Sequence, residues 1–324
     1  MRYGFGVDIG GTTVKLALFD ETGTQITKWE IPTVPRDGGR EILPDIAASV
    51  AGCMARRGLR PEDTVGIGVG VPGPVDGRGM VNRCVNLGWG VLPIEQTLSD
   101  LTGLPVKAGN DANVAALGEY WMGGGRGCGN MIFVTLGTGV GGGILVDGRL
   151  LPGYHGAGGE IGHLVLNRQE TRLCGCGKRG CAEQYCSATG AVRLAQDYLS
   201  AFDGPSVLRE MHPLTCKALF DAGREGDGAA MAVLERYYAY LGEFLADLCC
   251  VVDPQAVVIG GGVSKAGEAL LQGVRPWFDR WVFHAARDVT FALAKLGNDA
   301  GTYGAMKLAL DACHEKETGG KKNV

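Results

Sequence analysis

Met131-Ile-Phe-Val-Thr135-Leu136-Gly137-Thr138-Gly139-Val-Gly141-Gly142-Gly143-Ile144-Leu-Val146-Asp147-Gly148 decides the architecture, because the chain has already run through the same order once, from Phe5 to Gly23. An apolar strand enters a glycine turn, a second apolar strand returns, and an acidic turn follows. In the opening copy these parts are Phe5-Gly-Val7, Asp8-Ile-Gly10-Gly11-Thr12-Thr13, Val14-Lys15-Leu16-Ala-Leu18-Phe and Asp20-Glu-Thr-Gly23. Alternating apolar residues bounded by Gly and Asp read as β-hairpins. One supersecondary unit used twice predicts two related α/β domains, with glycine turns the size of a phosphate facing one another.

The segments around the hairpins fit that plan. Ile42, Leu43, Ile46, Val50, Cys53 and Met54 fall at helical spacing, and Arg57-Gly58 ends that helix. Val65 to Val71 is a strand with alternate glycines, broken by Pro72-Gly73-Pro74, and the strand from Pro105 ends at Gly109-Asn110-Asp111. A long amphipathic helix is predicted over 231–251, with Leu234, Tyr237, Leu241, Phe244, Leu245 and Leu248 on its buried side. The apolar strand 256–259 then empties into Gly260-Gly261-Gly262, and a last helix begins near Ala300-Gly301.

Composition narrows the function classes. The chain has 324 residues, 45% apolar and 20% charged, as expected of a soluble globular protein of two domains. A net charge of -4 offers nothing to nucleic acid or an anionic membrane. No signal peptide is read at the N-terminus, and no apolar run is long enough to span a bilayer. Eleven cysteines without an export signal read as reduced thiols of a cytoplasmic protein. The short basic tail, Gly319 to Val324, reads as a frayed end.

Three glycine turns follow three strands: Gly10-Gly11, Gly137 to Gly143, and Gly260 to Gly262. Bare backbone N–H groups in such turns form anion-binding concavities. Gly137-x-Gly139-x-x-Gly142 satisfies the dinucleotide fingerprint, but a strand follows it where that fingerprint needs a helix. There is no Gly-x4-Gly-Lys-Ser/Thr. Three turns with Asp8, Thr12 and Thr138 among them favour a nucleoside triphosphate held between two domains.

The stretch His163 to Glu183 carries Cys174-Gly-Cys176-Gly-Lys-Arg-Gly-Cys181-Ala-Glu183. Three thiolates and one imidazole form the ligand set of a closed tetrahedral zinc site. The plainer reading is three reduced cysteines and an unrelated histidine. A metal on this loop would also fix Glu160 and Glu183 beside it, a group able to read the hydroxyls of a polar small molecule. Asp111, at the end of a strand, suits a carboxylate that accepts a proton from an acceptor alcohol in phosphoryl transfer. It equally suits a helix N-cap.

With these residues in view the chain resembles the ROK family of repressors, uncharacterised reading frames and sugar kinases, within the actin–hexokinase-like ATPase superfamily. The likeness covers nearly the whole chain: Asp8-Ile-Gly-Gly-Thr12, Gly73-Pro74, Asn86-Leu-Gly-Trp89, Asn110-Asp111-Ala-Asn113, Leu136-Gly-Thr-Gly139, Gly159-Glu-Ile-Gly-His163, the cysteine loop with Glu183, Gly260-Gly-Gly262 and Asn298-Asp-Ala-Gly301. Within the family it looks most like the bacterial glucokinases. The resemblance implies a two-domain, actin-like (ribonuclease H-like) α/β fold with an interdomain cleft. The small domain is expected to be 1–111 plus 301–324, and the large one 112–300 with the zinc loop. It implies ATP-dependent conversion of glucose to glucose 6-phosphate, with Asp111 as general base. Gly73, Asn86, Asn110, Glu160, His163 and Glu183 would bind sugar. Gly10, Gly11, Thr12, Lys15, Gly137, Thr138 and Gly139 would hold phosphates, with Asp8 nearest Mg²⁺ and Gly261 and Gly262 against the nucleoside. His163, Cys174, Cys176 and Cys181 would bind structural zinc, while Cys186 is read as packing. A homodimer is implied as well. Kinases for fructose, allose or N-acetylmannosamine share these motifs, and a non-catalytic sugar sensor is the remaining alternative. A repressor is disfavoured because the first hairpin begins at Tyr3, leaving no room for a DNA-binding domain before it.

Overall fold

The computed structural model describes residues 1–319. The end of the basic tail, 320–324, lies outside the described residues, and the expectation of a frayed end falls mostly there. The first sheet starts as a meander of β1 (Tyr3–Ile9), β2 (Thr13–Asp20) and β3 (Gln25–Pro32), all antiparallel. Two parallel strands, β4 (Thr64–Val71) and β5 (Val106–Asn110), complete it in the order β3-β2-β1-β4-β5. Parallel neighbours need a crossover, supplied here by α1 (Ile42–Arg57) and α2 (Ile94–Thr102). Alternation along β1 turns Phe5, Val7 and Ile9 to one face, where they join Ile46, Val50, Val69 and Leu98 in a dry core. Asp8 therefore faces the other way. β5 runs straight into α3 (Asp111–Met122).

The second sheet repeats the plan. β6 (Met131–Leu136), β7 (Val140–Val146) and β8 (Arg149–Leu150) are antiparallel, and β9 (Ala256–Gly260) and β10 (Thr290–Leu293) are parallel additions. Its order, β8-β7-β6-β9-β10, is that of the first sheet. The duplication expected from the two hairpins is thus present in the topology. Helices α4 (Ala188–Ala201), α5 (Cys216–Arg224), α6 (Gly228–Val252) and α7 (Glu268–Trp281) cover its outer face. Their core joins Tyr237, Phe244 and Phe278 to Ile132, Val134, Val257 and Ile259. The hydroxyl of the fully buried Tyr237 donates to Cys186 O at 2.7 Å.

One expectation needs correcting. Only Gly137 to Gly139 form the second turn; Gly141, Gly142 and Gly143 are strand residues of β7, paired with Thr135, Val134 and Phe133. Glycine there leaves room for α3, which lies across β7 with Ala116 and Asn113 against Gly143.

The last helix, α8 (Ala300–Gly319), returns to the first sheet, where Met306 and Leu310 pack on Ala17, Phe19 and Val65. α3 and α8 lie between the two sheets and cross with their backbones nearly touching. A Cβ on Gly304 would sit 1.6 Å from Val114 O, and one on Gly118 would sit 2.2 Å from Ala300 O. The alternate glycines of β4 have the same cause, since a Cβ on Gly68 would fall 1.6 Å from Ala305 O. None of the described helices is long and apolar enough to cross a membrane.

Candidate active site between the two sheets

The sheets, α3 and the entry to α8 line an open cavity of about 590 Å³. β1 contributes Asp8, β2 Lys15, α3 Asp111, and the end of β9 Gly260 to Gly262. Burial raises the Asp8 carboxyl, and the Lys15 ammonium, 3.9 Å away, opposes that. Lys15 Nζ also donates to Asn298 O at 3.2 Å, tying the first hairpin to the segment before α8.

Asp111 is the first residue of α3 but not its cap. Asn110 has extended backbone, and its Oδ1 accepts from the amides of Ala112 (3.0 Å) and Asn113 (3.2 Å). With the cap supplied by its neighbour, the Asp111 carboxylate accepts one amide, that of Ala112 at 2.8 Å, and lines the cavity. Burial pushes its carboxyl up to about 6; the Ala112 amide works against this, and the Asp8 and Glu160 carboxylates add to it. A carboxyl poised there is ionised at neutral pH yet basic enough to take a proton.

Around Asp111 the loop after β4 is held down. Asn110 Nδ2 donates to Gly73 O at 3.4 Å, and the Cys84 thiol donates to Pro72 O at 2.8 Å. Asn86 lies exposed on the short turn that follows Cys84. From α3, Asn113 Nδ2 donates to Gly158 O at 2.8 Å, which anchors the segment carrying Glu160 and His163.

That segment meets the cysteine loop. One donor atom each from His163, Cys174, Cys176 and Cys181 lies within 4.8 Å of all the others. The Cys176–Cys181 sulfurs are 3.6 Å apart, and Cys174 Sγ is 3.8 Å from His163 Nδ1. Tetrahedral zinc, with Zn–S near 2.3 Å, requires sulfur separations of about 3.8 Å, so the four residues fit the ion. The loop is shaped for this by Cys174 N–H donating to Lys178 O and Lys178 Nζ donating to His163 O. Cys186 is buried in the second core, apart from the four. With Nδ1 turned to the sulfurs, His163 Nε2 points the other way, 3.8 Å from Glu160 Oε2. Glu183 Oε1 is 3.8 Å from His163 Nδ1 and accepts from the Cys174 thiol at 2.8 Å.

The structure therefore gathers Gly73, Asn110, Asp111, Glu160, His163 and Glu183 around one end of α3, and lines the cavity with Asp8, Lys15, Gly261 and Gly262. It does not bring every expected residue to the cavity wall. Gly10, Gly11 and Thr12 form the hairpin tip, where Gly10 N–H donates to Thr13 O, and they are not among the lining residues. The Gly137-Thr138-Gly139 turn also stands outside that lining, tied to α4 by Ala188 N–H donating to Gly137 O. Its Gly139 lies against Glu183, whose Oε2 would be 2.6 Å from an added Cβ. Residues that sequence reading missed include Lys265, Asn298 and the fully buried Glu119, all on the cavity wall. Asn298 sat in a matched motif without a role, and Glu119 had only the glycines after it, Gly123 to Gly125, as a signal.

Comparison with known proteins agrees with this geometry. The model of the ROK family matches residues 4–312. A glucokinase of Halalkalibacterium halodurans is 41% identical over 308 residues, covering 94% of this chain and 93% of that one. An N-acetylgalactosamine kinase of a Shewanella species is 32% identical over 321 residues, 95% and 97% of the two chains. Among solved structures, a ROK family glucokinase from Streptomyces griseus, in complex with glucose and AMPPNP, superposes with a TM-score of 0.75 at 35% identity, covering 95% of this chain and 99% of that one. The doubled sheet, the cysteine loop beside Glu160 and Glu183, and a match running almost from end to end lead to one assignment: the chain belongs to the ROK family.

Proposed function

We propose that the protein phosphorylates glucose at its 6-hydroxyl with ATP, yielding glucose 6-phosphate and ADP. The observation that carries this reading is Asp111, with its carboxyl pushed up to about 6, on the wall shared by the cavity and the residues around Glu160. The sugar lies against Gly73, Asn86, Asn110, Glu160, His163 and Glu183. Carboxylates and an imidazole suit hydroxyl donors, and the Asn110 amide, whose oxygen is taken by the helix cap and one of whose Nδ2 hydrogens goes to Gly73 O, offers its other Nδ2 hydrogen to a sugar oxygen. As the sugar oxygen bonds to the γ-phosphorus and the bond to ADP breaks, the hydroxyl proton passes to Asp111, which later releases it to solvent.

Lys15 and the turns Gly10-Gly11-Thr12 and Gly137-Thr138-Gly139 face the phosphates, and Gly261 and Gly262 lie against the nucleoside. Asp8 is the carboxylate that would hold Mg²⁺, and the ion would neutralise charge on the phosphate oxygens. Because the Gly10–Thr12 and Gly137–Gly139 turns stand outside the cavity lining, this assignment needs the two lobes to approach. The lobes are 1–111 with 301–324, and 112–300. Zinc held by His163, Cys174, Cys176 and Cys181 would fix the imidazole and leave Nε2 for the sugar.

The N-acetylgalactosamine kinase relative favours a second reading, in which the acceptor is another hexose or an N-acetylhexosamine. A coupled assay of ADP release from ATP over a panel of hexoses and N-acetylhexosamines separates the two. Glucose is expected to show the highest kcat/KM. Higher kcat/KM for an N-acetylhexosamine selects the second reading, and no turnover with any sugar overturns the kinase assignment. A cytoplasmic homodimer belongs to the same proposal; sedimentation velocity showing only monomer would remove the dimer.

A further inference from the structure

Glu119 lies on the last turns of α3 and is fully buried. An ionised side chain in such a place needs hydrogen bonds for both oxygens. Backbone amides supply them. Gly124 N–H donates to Oε2 at 2.7 Å, Lys295 N–H donates to Oε2 at 2.9 Å, and Leu296 N–H donates to Oε1 at 2.8 Å. Two of the three come from the segment after β10, far away in sequence. That segment then passes Asn298, whose carbonyl accepts from Lys15 Nζ, and reaches Gly301, where an added Cβ would lie 2.6 Å from the Asp8 carboxyl carbon. Glu119 thus holds together three parts of the cavity wall: the helix that begins at Asp111, the 294–298 segment, and through it the Asp8–Lys15 corner. Glu119 lies eight helical steps after Asp111 along α3, about 12 Å at 1.5 Å per residue.

We propose that Glu119 is a positioning residue for the phosphoryl donor, clamping the 294–298 segment to α3 so that the nucleotide side of the cavity keeps a fixed distance from Asp111. This rests on the reading of the cavity as the ATP site. Glu119 touches no reacting atom in this scheme. Its role is to set where Asn298 and Lys15 stand, and the sugar side, around Glu160 and Glu183, does not depend on it.

Glu119→Gln replaces one acceptor oxygen with a donor that faces an amide. The loss of charge-assisted hydrogen bonds of this kind is expected to raise KM for ATP by about tenfold to a hundredfold. KM for glucose is expected to stay within about twofold, since no sugar contact is lost. Glu119→Asp keeps the charge but shortens the reach, and is expected to fall between wild type and Glu119→Gln. Calorimetry with AMPPNP on glucose-saturated protein separates the two layers of argument. If wild type binds no AMPPNP, the ATP-site reading fails. If wild type and Glu119→Gln bind it equally, the clamp alone fails. Equal rises in both KM values would make Glu119 a general structural residue and overturn the proposal. Should the variants not fold, hydrogen exchange of the wild-type protein decides. The amides of Lys295 and Leu296 are expected to exchange as slowly as those of α3, and AMPPNP, but not glucose, to slow the 294–298 segment further. Fast exchange at these two amides, or no response to AMPPNP, overturns it.

Discussion

Replacing Asp111 by Asn is expected to make the protein both far less active and more stable. The two effects have one source. Burial, the first cause, raises the carboxyl from 3.8 to about 6, against the pull of the Ala112 amide and with a further push from Asp8 and Glu160. In the unfolded chain the group ionises near 3.9. Between about pH 4 and 6 the native state therefore holds a proton that the unfolded state has lost, so native stability falls as pH rises through that window. Above about pH 6 the full penalty is present; below about pH 4 it is absent. A displacement from 3.8 to about 6 corresponds to about 3 kcal/mol, and water in the open cavity reduces the realised figure to about 1–3 kcal/mol. Neutral Asn carries no such penalty and its oxygen can still accept from Ala112. Urea unfolding at pH 7.5 should show Asp111→Asn more stable by that amount, with the difference shrinking as pH approaches 4. Coupled turnover should fall by about 10²–10⁴ in kcat, as for loss of a general base, with sugar affinity nearly unchanged. In wild type, kcat/KM should decline as pH drops below about 6. Near wild-type turnover in the variant would reduce Asp111 to a residue of the helix start. A variant less stable at pH 7.5 would refute the buried-charge account.

Three other outcomes are expected. Cys176→Ser should lower zinc content, read by metal analysis, and raise KM for glucose, because His163 loses its fixed orientation; metal-free protein with an unchanged KM would sever that link. Gly304→Ala, placing a methyl 1.6 Å from Val114 O, should lower stability by about 1–3 kcal/mol in urea or force the helices apart; a silent substitution would contradict the backbone crossing. Saturating glucose should shrink the radius of gyration in small-angle scattering, because the proposed sugar contacts come from both lobes and a ligand touching both stabilises the closed form. An unchanged scattering profile in active protein would rule out closure as the step that assembles the site.

Features whose signals sit side by side in the chain were legible in the sequence. The two hairpins announced themselves through period-two alternation closed by Gly and Asp, and their duplication carried over to identical strand orders in the two sheets. The cysteine loop was legible because three candidate ligands fall between Cys174 and Cys181. Where two neighbouring residues suit one role, sequence could not choose: Asn110 and Asp111 are both good caps, and only the backbone geometry gives that role to Asn110. Gly141 to Gly143 were read as turn because a glycine needed for a turn and one needed for a helix resting on a strand are the same letter. Glu119 was invisible for another reason. Its partners are main-chain amides at 124, 295 and 296, which have no side-chain signature and are brought together only by the fold.

The return of α8 to the first sheet also has a consequence for synthesis. The N-terminal third can pair its five strands once Asn110 has left the ribosome, yet one face of that sheet, with Ala17, Phe19 and Val65, is covered by Met306 and Leu310. At roughly 5–20 residues per second, translation from Asn110 to Ala300 takes on the order of ten seconds or more. Throughout that interval the nascent chain presents an apolar sheet face with its own covering helix not yet made. The second sheet is born into this situation, carrying an equivalent hairpin of nearly the same strand pattern. Chaperone engagement of the emerging chain would thus concentrate on this bare face, and end when the last helix docks.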